Sequence, residues 1–168
     1  EKSIVATAAD QQVLNDPEPN YRVYNASVNT FNELTPSYFH QHIGGYSAVK
    51  LSRYQDLIER QISPQVQKLM TGLQAGGTPE NLFKNAPILN MLNMKYLIYN
   101  KDAAPITNNN ALGSVWFIDN FDWAENADQE MEKLTDFDPK ATVIIDDRFK
   151  NYIGALKPSS SPQNSIQI

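Results

Sequence analysis

The chain has 168 residues, 41% of them hydrophobic and 20% charged, with a net charge of −5. That length supports one domain with a substantial core. The acidic balance, with no basic run or stripe, gives no footprint for nucleic acid or for adsorption to anionic lipid, and the absence of cysteine excludes disulfides, thiolate nucleophiles and cysteine-ligated zinc.

In chain order, residues 7–14 predict a short helix, with Thr7 and Asp10 at capping-box spacing. Pro17 and Pro19 stop it. Residues 21–25 alternate as a strand, with Tyr21, Val23 and Asn25 on one face. Residues 28–45 have no period and predict a long irregular segment, of the kind that carries function when it is ordered; its aromatic content argues for order. Leu51, Tyr54, Leu57, Ile58 and Ile62 form an apolar stripe at helical spacing. Ser63 and Pro64 then predict a fresh helix start, with Ser63 as N-cap and Pro64 at the first helical position. Gly76 and Gly77 end that helix, whose buried face is Val66, Leu69, Met70 and Leu73. Two further short turns open at Pro79 and Pro87, and the second leads into a strand over 95–99.

Asn108, Asn109 and Asn110 fall in a connecting loop. Residues 114–119 predict a strand that bends towards Trp123, and Asn126 to Gln129 starts a helix reaching about Leu134. Residues 141–146 are a continuous apolar run, the pattern of a central strand buried on both faces. The fold class expected is α+β: one mixed sheet of about four strands with helices packed on it. No apolar run is long enough to cross a bilayer. The start at Glu1 and the Pro/Ser/Gln-rich tail suggest a piece of a longer protein. On that view residues 1–157 form one soluble domain, and 158–168 form a linker and the start of a following β-rich region.

Both histidines lie in SYFHQHIGGYSAVK, residues 37–50. A His-x-His pair on a strand puts two rings on one face, which suits zinc if Asp56 or Glu59 supplies a third ligand. The structural alternative is a pair of imidazoles hydrogen-bonded inside an aromatic loop. No Gly-x-Ser-x-Gly elbow is present, and Ser47 reads as a loop or capping serine. The carboxylate pairs Asp119/Asp122 and Asp146/Asp147 are candidates for acid–base work, but Asp146–Arg148 reads better as a strand terminus with a local ion pair. The glycine pairs lack the flanking elements and the lysine of a phosphate loop. The aromatics Tyr38, Phe39, Tyr46 and Tyr54, and the group Trp116, Phe117, Phe121 and Trp123, suit sugar rings and suit a core equally well.

The runs NYRVYNASVNTFNELTPSYFHQHIGGYSAVKLSRYQDLIE, ILNMLNMKYLIYN, ALGSVWFIDNFDWAENADQEMEKL and DFDPKATVIIDDRF, in this order from about Asp16 to Phe149, resemble a segment of large Bacteroidetes membrane proteins of the YfhO family. In those proteins the segment follows many transmembrane helices and precedes a β-rich region. The family is similar to GT-C membrane glycosyltransferases, which use polyprenyl-phosphate sugars outside the cytoplasmic membrane and hold their catalytic acid in a loop that has no counterpart here. The resemblance implies a non-catalytic extracytoplasmic (periplasmic) domain whose partners are the transmembrane domain, the β-rich region and a glycan or lipid-linked sugar. No cofactor, metal or catalytic residue is assigned. The expected ligand or interdomain surface is Tyr38, His40, His42, Tyr46 and Asp56. The alternatives are a free-standing carbohydrate-binding or scaffold protein and a His-dependent hydrolase.

Overall fold

The computed structural model describes residues 4–158 and Ser165. Most of the tail expected to be a linker and a strand start therefore lies outside the described residues. The class is α+β, but the strands fall into two sheets rather than one. The larger sheet has the order β1 (Arg22–Asn25), β2 (Met94–Ile98), β3 (Ile106–Thr107), with β1 and β2 parallel and β2 and β3 antiparallel. Its β1 edge is covered by the irregular segment. Val23 forms a parallel bridge with His42, its amide donating to Gln41 O at 2.9 Å while Ile43 N donates back to Val23 O at 3.1 Å. The smaller sheet pairs β4 (Asn120–Ala124) with β5 (Thr142–Asp146) in parallel, joined by α6 (Ala127–Lys133) as a β–α–β unit.

The first helix forms as the sequence predicts. In α1 (Ala8–Leu14) the Thr7 side chain accepts from Asp10 N, and the Asp10 carboxylate accepts from Thr7 N. α2 (Ser52–Leu57) and α3 (Ser63–Gln74) correct the expected break at Ser63. They run on through a single π-turn, Ile58–Ile62, and Ser63 makes no side-chain cap. Pro64 has no amide to donate, and the wider turn absorbs that missing bond without ending the helix. The C-terminal stop at Gly76 holds, with φ +83° at that residue. α4 (Pro79–Lys84) and α5 (Pro87–Met91) both have Pro in the first turn.

Two strand expectations move. The ladder expected over 114–119 begins instead at Asn120. Asp119 N and Asn120 N both donate to Ala141 O, at 2.8 and 2.9 Å, which fixes where β4 meets β5. Among the described residues β5 is not a central strand: it has one neighbouring strand there, and its residues 142–145 are only half-buried. The main core lies between the larger sheet and α2–α5, built on Ile43, Ile62, Phe83, Ile88, Leu89, Met94 and Leu97. Leu134 and Phe137 from the β–α–β unit pack against it. At roughly 1.5–3 kcal/mol for each large apolar side chain buried, this cluster is the main source of stability. α1 closes the opposite side of the sheet through Ala9, Val13, Val23 and Ile98.

Candidate functional site

The histidine segment is held from three directions. Its glycines permit the turn: a Cβ on Gly44 would lie 2.0 Å from Thr30 O, and Gly45 has φ +107°. His40 is buried and places Nε2 2.8 Å from Asp10 Oδ1. Burial alone would raise the Asp10 pKa, but hydrogen bonds from Thr7 and His40 outweigh it and hold the carboxyl below its usual range. An ionised Asp10 can only accept, so His40 donates to it from Nε2 and keeps its other nitrogen, Nδ1, away from that carboxylate. That nitrogen has no hydrogen-bond partner among the described residues.

His42 turns the other way. The Asn25 amide points at its Nε2 at 3.1 Å and the Gly44 amide at its Nδ1 at 3.0 Å. A neutral ring accepts at only one nitrogen, and an imidazolium accepts at neither, so the site favours the neutral form. Burial, and after it the charge of His40, lower the His42 pKa to about 4.

The five residues expected to share a surface therefore separate. His40 and His42 face inward on different partners, whereas Tyr38, Tyr46 and Asp56 are exposed. The carboxylate that joins a histidine is Asp10 from α1, not Asp56 or Glu59. No group of three or more His, Asp or Glu side chains suited to a metal ion occurs among the described residues. Asp146 caps the turn after β5 through Arg148 N at 2.9 Å and pairs with the Arg148 guanidinium at 3.0 Å, as a strand terminus with a local ion pair. Phe121 and Trp123 meet edge to face at 5.9 Å on one side of β4.

A second site has no counterpart in the sequence reading: a groove of about 460 Å³ beside the N-terminal ends of β1 and β2, reached by Asn20, Tyr21, Asn93, Lys95, Asn109 and Gly113. It is built from amides. Asn20 and Asn93 take left-handed backbone angles, φ 67° and 55°, which Asn tolerates better than other side chains with a Cβ. Asn93 stitches the walls together, donating from Nδ2 to Asn20 O at 2.8 Å and accepting from Gly113 N at 3.1 Å. Beneath them the buried Asn108 donates to Asn90 Oδ1 at 2.9 Å and Met94 O at 2.8 Å, which fixes the 108–113 loop over the sheet. The side chains of Asn20 and Asn109 are exposed at the mouth.

The groove's one ammonium is paired internally. Lys95 Nζ lies 2.5 Å from both Asp16 Oδ2 and Glu18 Oε2, with the Tyr21 and Tyr96 rings 5.3 and 5.6 Å away. Burial works against the Lys95 charge, but these bonds outweigh it and raise its pKa. The Lys95 bond leads the interactions that lower the Asp16 pKa to about 2. With its one ammonium already paired to two carboxylates, the groove offers no spare positive charge for an anion. It offers amides and a tyrosine. A narrower hollow of about 300 Å³ continues it past Arg22 and Gln41 to Trp116, whose Nε1 donates to Pro139 O at 2.7 Å. From there an apolar cleft of about 560 Å³ opens between residues 114–118, α6 and β5. Only the run of three asparagines at 108–110 could have signalled this site, because its other members come from distant segments. Compared with known proteins, the chain matches no protein-family model, no curated protein and no solved structure.

Proposed function

We propose that this chain is a non-catalytic glycan-binding domain, held on the extracytoplasmic side of the membrane as part of a YfhO-family, glycosyltransferase-like membrane protein. Its partners on this reading are the transmembrane domain and the β-rich region of that protein, with the acceptor or lipid-linked glycan as ligand. The observation that carries the binding role is the amide-lined groove at Asn20, Asn93 and Asn109 beside Tyr21, whose one ammonium is already paired to carboxylates. Paired donors and acceptors of planar amides match vicinal hydroxyls. The internal pairing of Lys95 favours a neutral saccharide over a phosphorylated one. The inward placement of His40 and His42 supports binding rather than hydrolysis, since neither ring is available to a substrate. The compartment and the parent protein rest on the sequence resemblance.

The experiment is a glycan microarray followed by calorimetry on the best hit. Saturable binding without turnover is expected, and Asn109→Ala is expected to weaken it about fivefold or more, as loss of one or two hydrogen bonds does. Because Asn109 is exposed, the melting temperature should be unchanged. Cleavage of any arrayed glycan, or affinity indifferent to Asn109, would overturn the assignment.

A further inference from the structure

The hollow that continues the amide groove differs from it in charge. Asn20, Asn93, Gly113 and Ser114 border both, so the two form one continuous surface. At the groove end one ammonium, Lys95, faces two carboxylates, Asp16 and Glu18, which leaves that end negative. At the hollow end Arg22 is the one charged residue of the lining. Its guanidinium is oriented by Nη1, which donates to Leu92 O at 2.9 Å. Among the described residues that guanidinium makes no other hydrogen bond and no ion pair. The other three arginines, Arg53, Arg60 and Arg148, each pair with a carboxylate. Across the hollow lies the half-buried Trp116, its Nε1 pinned to Pro139 O. Among the described residues no aromatic ring and no cation is stacked on it.

We propose that the hollow is a second sugar subsite and that it takes a uronic acid, so that the ligand is an acidic oligosaccharide with a neutral unit in the amide groove and a carboxylate on Arg22. The inference rests on the glycan-binding reading of the groove and names the class of glycan. A guanidinium matches a carboxylate because both are planar, and two parallel N–H donors can meet its two oxygens. Arg22 keeps donors to spare after the bond to Leu92 O, and that bond reduces the entropy lost when a ligand orders the side chain. One cation without a second beside it suits a singly charged group. Charge also sets the direction of the glycan. Its acid is repelled from the end that holds Asp16 and Glu18 and drawn to the end that holds Arg22. The Trp116 ring gives the sugar an apolar surface to lie against, and the Gln41 side chain, exposed at the edge, can meet its hydroxyls.

The test is calorimetry on the whole chain with fragments of hyaluronan, alginate and pectin, each beside its carboxyl-reduced counterpart. Reduction turns the uronate into a neutral sugar and leaves the rest of the glycan unchanged. At least one acid should bind about tenfold tighter than its reduced form, as a charge-assisted pair provides. That advantage should shrink as salt is raised. Arg22→Gln should remove it, and Arg22→Lys, which keeps the charge without the planar fork, should restore only part. Arg22 is exposed, so both variants should fold, and their melting temperatures check this. Asn109→Ala should weaken the acid and its reduced form alike. Equal affinity for the two forms, an advantage that survives Arg22→Gln, or tighter binding of a phosphodiester-linked saccharide than of any uronate would overturn the inference. If neutral glycans bind through Asn109 and the acids gain nothing, this inference fails and the groove reading stands. If no glycan of either kind binds, both fail.

Discussion

At His42 two backbone amides converge on one ring, so a proton added there would face N–H groups with no acceptor. Its pKa falls from an ordinary 6.5 to about 4 in the folded chain. Between those values the unfolded chain takes up a proton that the native chain refuses. Stability from this group is therefore undiminished above pH 6.5 and declines as pH falls towards 4. Thermal melting should show the fall between pH 7 and pH 5, and His42→Gln, which keeps an acceptor but cannot titrate, should flatten it. A variant whose melting tracks the wild type across that window would contradict the assignment. Asp10 acts lower down: its depressed pKa adds stability above the usual carboxylate value, and that stability is lost as pH falls through the folded value. Asp10→Ala removes both a helix cap and the partner of buried His40, and should cost about 2–4 kcal/mol in denaturant unfolding. Gly44→Ala should cost about 3 kcal/mol or more, because the new methyl would overlap the Thr30 backbone rather than a movable side chain.

Among the elements, the π-turn in the long helix has a definite partner. Gln61, buried within that turn, donates from Nε2 to Met131 O at 2.8 Å and Thr135 Oγ1 at 3.0 Å, tying the helix to α6 and the turn after it. Gln61→Leu leaves that carbonyl unpaired and should lower stability by about 1–3 kcal/mol in chemical denaturation; a neutral result would mean that water serves equally well. Elements with local causes were legible in the sequence. The Thr7/Asp10 cap, the glycine stop at 76 and the Asn126 cap all form, as does the stripe from Tyr54 to Ile62, although Leu51 stays exposed just before the helix, and each depends on residues within one or two turns. The misread elements depend on partners far away. Val115, Trp116, Phe117 and Ile118 carry strand propensity, but the ladder starts at Asn120, where Ala141 O accepts two amides. The apolar run in β5 reads as buried on both faces, yet residues 142–145 are only half-buried and, among the described residues, one edge has no neighbouring strand. Helix continuity across Pro64 was hidden because Ser-Pro is also a good start signal.

Across the whole molecule, the β–α–β unit of residues 120–146 leans on the main core through Leu134 and Phe137, and the apolar cleft lies along that junction. The amide groove likewise needs the complete fold. Its walls come from residues 18–21, 93–95 and 108–114, which meet only once β1 and β2 pair and the buried Asn90–Asn108 bond sets the loop. No local pattern encodes that meeting, whereas the histidine segment drew notice by composition and serves chiefly as structure. The most direct measurement of the central claim is a two-dimensional NMR titration of the isotope-labelled chain with an oligosaccharide selected on the array. Shifts should concentrate at Asn20, Tyr21, Asn93, Asn109 and Gly113, extend towards Trp116, and leave Tyr38 and Tyr46 unmoved. Shifts confined to Tyr38 and Tyr46, or none at saturating saccharide, would contradict a glycan site in the groove.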